Sequence, residues 1–146
     1  MAMYPELMVI PMREELTRLG VQEARSAESV DEFVKNSQGT LMVIVNSICG
    51  CAAGKMRPAV RMALQQSAAK PDQSISVFAG QDTEATARAR EHFAGVPSSS
   101  PSIGLMREGK LIYFMPRSAI ESRDAASIAA ELVSAFQQHC GAGVKQ

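Results

Sequence analysis

Cys49 and Cys51 stand on either side of Gly50, and two thiols one residue apart point to thiol–disulfide exchange. The thiolate is the nucleophile of that chemistry, and a neighbouring thiol can resolve the mixed disulfide it forms. Cys49 is expected to attack and Cys51 to resolve. A bond between them would close a ring one residue tighter than Cys-x-x-Cys. Departure from preferred disulfide geometry stores strain and makes the bond easier to reduce. Gly50 offers the backbone latitude that such a ring requires. The expected couple is therefore relatively oxidising. It suits isomerising disulfides, or removing a small thiol from a protein, better than strong reduction. Inert core thiols are the alternative, because free cysteine is among the most buried residue types.

A third cysteine, Cys140, follows His139 near the C-terminus. Cys49, Cys51, His139 and Cys140 together would offer four soft or borderline donors, enough for tetrahedral zinc. The spacing disfavours this, since structural zinc sites use Cys-x(2–4)-Cys pairs and adjacent His-Cys ligands are unusual. Metal binding through Cys49, Cys51 and Cys140 is the second reading. Cys140 is alternatively a half-buried helix-end thiol, or an accessory thiol that pairs with Cys49 or with another molecule on oxidation. Neither His92 nor His139 adjoins the cysteine pair in sequence, which weakens a cysteine–histidine hydrolase. Met8, Met12, Met56 and Met62 sit at helical or near-helical spacings that core packing explains better than copper binding.

Composition removes several other classes. Lys+Arg and Asp+Glu balance at 15 each over 146 residues, so no global field recruits nucleic acid or an anionic membrane. Five Phe, two Tyr and no Trp leave too few rings for a base-stacking platform. No stretch approaches the ~20 apolar residues of a membrane span. Met1 to Glu6 lacks the basic and apolar regions of a secretory signal. Three cysteines, an odd number, do not make a disulfide-rich secreted scaffold. The expectation is a cytoplasmic protein with one domain over residues 1–146, a helical extension over 4–19 and a flexible tail over 141–146.

The elements that must position the pair can be read along the chain. Tyr4 to Leu19 places Met8, Met12, Leu16 and Leu19 on one helical stripe, with Pro11 as a kink or a fresh start. Residues 21–25 would fit an edge strand. Ser29 and Glu32 form a capping-box pattern for a helix that ends by Gly39. Thr40 to Val45 is a β-branched run of the kind buried on both faces of a sheet. The cysteine turn follows it directly. A helix then runs from Cys51 to about Ala68, with Pro58 expected to bend it. The first-turn N–H groups and helix dipole would favour a Cys49 thiolate, with Lys55 and Arg57 adding positive charge. No Asp or Glu between Thr40 and Pro71 opposes it. Ser74 to Ala79 reads as a second buried strand, and Asp82 or Thr83 as the cap of a helix through Phe93. After the loop Gly95 to Pro101, Ile103–Met106 and Leu111–Met115 form an antiparallel hairpin, and a helix from about Ala125 to His139 ends the fold.

This order resembles that of the thioredoxin-like fold: an α/β domain with a mixed sheet, helices on both faces and here an extra N-terminal helix. In that fold a cis-proline opening the strand after the third helix faces the cysteines. Pro101, after Ser100, stands where that residue should stand; a trans proline ending a serine-rich loop is the alternative. If cis, the main chain at Ser100–Pro101 can hydrogen-bond an extended substrate, so Gly50, Ser100 and Pro101 are the expected substrate contacts.

Finer motifs carry a closer resemblance. Val45-Asn-Ser-Ile-Cys-Gly-Cys-Ala-Ala-Gly54 with Arg57-Pro58, Val77-Phe-Ala-Gly-Gln-Asp82, Pro97-Ser-Ser-Ser-Pro-Ser102 and Met12-Arg-Glu-Glu-Leu16 resemble the bacilliredoxin family. Its late cysteine corresponds to Cys140. The resemblance implies a glutaredoxin-like activity, removing bacillithiol from S-thiolated cytoplasmic proteins, together with disulfide isomerisation. It implies that Cys49 carries the bacillithiol until Cys51 or a second bacillithiol releases it. No bound cofactor is expected; bacillithiol or another low-molecular-weight thiol is a co-substrate.

Overall fold

Strand β2, Thr40–Asn46, is buried at every position. Met42 and Ile44 point into one apolar cluster and Leu41, Val43 and Val45 into a second, the alternation that pleating imposes on a strand covered on both faces. In the computed structural model, which describes residues 2–140, β2 is the centre of a five-stranded mixed sheet. The order is β1-β3-β2-β4-β5, with β1 Gln22–Glu23, β3 Gln73–Phe78, β4 Ser102–Arg107 and β5 Lys110–Met115. β1, β3 and β2 run parallel, β4 is antiparallel to β2, and β5 is antiparallel to β4. Helices α1 Glu6–Thr17, α3 Arg57–Gln66 and α6 Ala125–Cys140 close one face; α2 Ala27–Asn36 and α4 Thr83–His92 close the other. None of the helices of the described residues is long and apolar enough to cross a membrane. The expected tail, 141–146, lies outside the described residues.

The edge strand is present as β1, and the hairpin turns through Glu108 and Gly109, both at positive φ as a two-residue turn of this twist requires. Four local expectations need correction. The inward stripe of α1 is Val9, Arg13 and Leu16, while Met8 is 47% exposed, because a buried arginine rather than a methionine occupies the inner face. The capping box of α2 lies three residues earlier than the Ser29–Glu32 pattern: Ser26 is the last extended residue, and it and Ser29 cap each other's backbone N–H. Asp82 occupies the N-cap position of α4 without capping it, since its carboxylate is bonded to Arg13.

Pro58 is the fourth. The helix begins at the cysteine turn as expected, but it passes through a π-helical turn, Ala52–Met56, before its regular part, α3, starts at Arg57. Proline lacks an N–H and its ring clashes with the carbonyl four residues back. The wider turn relieves both problems by delivering Pro58 into the first turn of α3, where no N–H is required. A further short helix, α5 Arg117–Glu121, was not foreseen.

Candidate active site

β2 delivers its last residue, Asn46, and then Ser47 to the start of the cysteine turn, and a buried arginine fixes both. Arg57 Nη1 donates to Asn46 Oδ1 at 2.9 Å and to the Ser47 carbonyl at 2.8 Å. Its Nε lies 3.1 Å from Glu15 on α1. Asn46 in turn accepts from the Ser47 N–H at 2.9 Å and donates to the Met12 carbonyl at 3.3 Å. The turn is thus tied to both α1 and α3.

Ser47, held this way, donates its hydroxyl to Cys49 Sγ at 3.3 Å. Burial by itself would push the Cys49 thiol up. The Ser47 hydroxyl, the N–H groups of Ala52 and Cys51 and the charge of Arg117 outweigh it and hold the thiol below the ordinary cysteine range. The two N–H groups are those expected of the helix N-terminus; the positive charge comes from neither Lys55 nor Arg57. Lys55 donates to the Glu121 carbonyl at 2.6 Å, and Arg57 is committed to the β2 end. Arg117 supplies the cation, brought back to the turn at the start of α5 by the hairpin. A carboxylate comes with it. Glu121 pairs with Arg117 at 3.1 Å and lies 4.0 Å from Cys51 Sγ.

The two thiols, both free, therefore see different surroundings. Cys49 lines a groove of about 340 Å³ together with Tyr4, Gly80, Arg90, Ser100 and Arg117; Cys51 does not line it. Gly50 is exposed, its φ is not positive, and a Cβ there would meet nothing, so the dithiol form does not itself demand glycine. The Ser100–Pro101 bond is cis. Ser100 reaches the groove, while Pro101 is buried behind it. The Ser100 carbonyl accepts from Arg117 Nη1 at 3.3 Å, and Ser99 Oγ accepts the Arg117 N–H at 3.2 Å. Serine loop, α5 and cysteine turn form one rim.

The opposite rim is built by the N-terminal segment. Met3 N–H donates to the Gly80 carbonyl at 2.8 Å, and Tyr4 N–H to Gln81 Oε1 at 3.0 Å. Gly80 is required here. Its φ is +83°, and a Cβ would stand 3.0 Å from Tyr4 Cε2. Ser47, Arg117, Glu121 and Tyr4 are the site residues that sequence reading missed. A polar residue between a buried strand and a cysteine pair was a usable signal for Ser47 only.

Cys140 is elsewhere. It lies beside Thr40, the first residue of β2, whereas Cys49 follows the last, roughly 20 Å along a strand of this length. Burial and the nearby Asp72 charge push its thiol up. The expected intramolecular pairing with Cys49 does not fit this placement. Nor does the metal reading: among the described residues no three His, Cys, Asp or Glu side chains gather to hold an ion.

Comparison with known proteins agrees with this geometry. A family model described as disulphide isomerase matches residues 4–140. A bacilliredoxin of Koribacter versatilis is 61% identical over 140 residues, covering 96% of each chain. One from Geobacillus kaustophilus is 46% identical over 138 residues, covering 94% of this chain and 95% of its own. Among solved structures, thioredoxin f2 of Chlamydomonas reinhardtii superposes with a TM-score of 0.58 at 12% identity, over 84% of this chain and 98% of its own. Spinach chloroplast thioredoxin f gives 0.52 at 16% identity, over 80% and 93%. The fold is thioredoxin-like, and the chain belongs to the bacilliredoxin family of thiol–disulfide oxidoreductases.

Proposed function

We propose that the protein removes a low-molecular-weight thiol, bacillithiol or a thiol of like chemistry, from S-thiolated cytoplasmic proteins. The observation that carries this reading is the asymmetry of the pair. Cys49 faces the groove with its thiolate supported by Ser47, two backbone N–H groups and Arg117, and Cys51 stands outside. A groove of about 340 Å³ falls within the range of small-molecule sites, about 300–1,000 Å³.

In the first step Cys49 Sγ⁻ attacks the small thiol's sulfur in the mixed disulfide. The Cys49–small thiol bond forms, the old S–S bond breaks, and the client leaves as a thiolate. In the second, Cys51 loses its proton and attacks Cys49 Sγ, forming the Cys49–Cys51 disulfide and expelling the small thiol; two further small thiols reduce that disulfide, leaving as their own disulfide, before the next turnover. The Glu121 carboxylate, 4.0 Å from Cys51 Sγ, is the nearby acceptor for that proton. A second small thiol can replace Cys51 in this step. No bound cofactor is required. The names of the relatives and the family description support both dethiolation and disulfide isomerisation by the same tight couple.

The test is dethiolation of a bacillithiolated protein by wild type, Cys51→Ser and Cys49→Ser, followed by intact mass. Wild type should clear about one equivalent without added thiol, releasing the small thiol and ending as the Cys49–Cys51 disulfide, and several equivalents once free small thiol is present to reduce it. Cys51→Ser should clear one and stop until free small thiol is added. Cys49→Ser should clear none. Clearance by Cys49→Ser at the wild-type rate would overturn the assignment.

A further inference from the structure

We infer that Arg90 forms an anion subsite in the Cys49 groove, selecting small thiols that carry a carboxylate; this deepens the dethiolation reading and rests on it. Arg90 stands in the last turn of α4 and lines the groove with Cys49 and Arg117. Arg90 also lines a second, very small cavity at the serine loop, beside Phe93, Pro97 and Ser99. The side chain is half-buried, and its Nε is shielded from solvent with no hydrogen-bond partner. Its guanidinium makes no hydrogen bond or ion pair with any described residue.

That isolation is unusual in this molecule. The other buried or half-buried arginines among the described residues are each engaged: Arg13, Arg57, Arg88 and Arg123 pair with a carboxylate and Arg107 donates to the His139 carbonyl, while the exposed Arg117 pairs with Glu121. Partly desolvating a guanidinium without an anion costs free energy that a ligand carboxylate would recover. The reaction also changes the charge in the groove. Before attack, the Cys49 thiolate faces Arg117. Once Cys49 is in a mixed disulfide, that negative charge has left with the client sulfur. Arg117 keeps Glu121 as its partner, while Arg90 has none. A carboxylate on the small thiol restores the balance at the adduct stage. The groove therefore favours transfer of an acidic thiol onto Cys49 over transfer of a neutral or basic one.

The test uses the Cys51→Ser protein, so that the adduct stays on Cys49, and pyridyl disulfides of mercaptopropionate, mercaptoethanol and cysteamine. Release of pyridinethione gives the rate, and intact mass confirms the adduct. At low salt the mercaptopropionate probe should react about fivefold faster than the mercaptoethanol probe, and the cysteamine probe slowest. In Arg90→Met, or in Arg90→Gln, the acidic-to-neutral ratio should fall close to one. An unchanged ratio in either variant overturns the inference, as do equal rates for the three probes. Should neither variant fold, salt decides with the parent protein: the ratio should shrink at high ionic strength, and a ratio indifferent to salt removes the subsite. Equal rates leave the dethiolation reading standing. Failure of all three probes to label Cys49 would instead sink that reading and this one with it.

Discussion

Ser47 Oγ, 3.3 Å from Cys49 Sγ, is the strongest of the contacts that draw this thiol below the ordinary range. Replacing it by alanine removes a hydrogen bond to a charged sulfur. Ser47→Ala should raise the pH at which Cys49 alkylation by iodoacetamide is half-maximal, and slow alkylation at pH 7 by roughly three- to tenfold. An unchanged alkylation profile would show that the hydroxyl is only structural. The same shift has a sign in stability. Cys49 ionises more readily folded than unfolded, so its ionisation contributes stability that is full above the unfolded thiol value, about 8.5. That contribution is lost as pH falls through the lower folded value. Denaturation midpoints should therefore drop over this window in wild type and more weakly in Cys49→Ser. At this scale the reacting residues were legible because Cys49, Gly50 and Cys51 are contiguous. Arg117 was not, because only the return of the hairpin brings it to the turn.

Among the elements, those with a strong period or a strong breaker could be read from sequence: β2, β3, the hairpin and α6. The π-helical turn could not. Sequence shows a proline within a helix but not which of several ways the backbone will absorb it. Packing adds constraints that no periodicity reveals. Gly104 on β4 lies under the Phe93 ring, which meets Phe114 edge-on at 5.4 Å. A Cβ at Gly104 would stand 2.8 Å from Phe93 Cε1 and 3.0 Å from Leu111 Cδ1. Gly104→Ala should cost about 1–3 kcal/mol by overpacking, read as a lower urea midpoint at unchanged m-value. A midpoint equal to wild type would mean that Phe93 moves aside freely.

The molecule as a whole depends on a buried charge that hydrophobic patterning gave no reason to expect. Arg13, 6% exposed, bonds Asp82 at 2.7 Å, Glu6 at 2.9 Å and Glu23 at 3.1 Å, with its guanidinium carbon 5.3 Å from the centroid of the Phe78 ring. It joins α1, β1 and the start of α4, and so holds the N-terminal segment whose Tyr4 walls the groove. Arg13→Met would leave Asp82 buried with only Arg25, at 3.6 Å and half exposed. The expected loss is about 3 kcal/mol in urea denaturation, with earlier amide exchange in α1. A loss below about 0.5 kcal/mol, the range of ordinary surface changes, would contradict this role. The central claim concerns chemistry, and one measurement addresses it most directly. Cys51→Ser and Cys49→Ser proteins, purified from the native host without reductant, are weighed intact. Cys51→Ser should carry a single disulfide-linked small thiol on Cys49, with a mass that identifies it, and Cys49→Ser should carry none. An adduct on Cys51 in the Cys49→Ser protein, with none on Cys49 in its counterpart, would contradict the account.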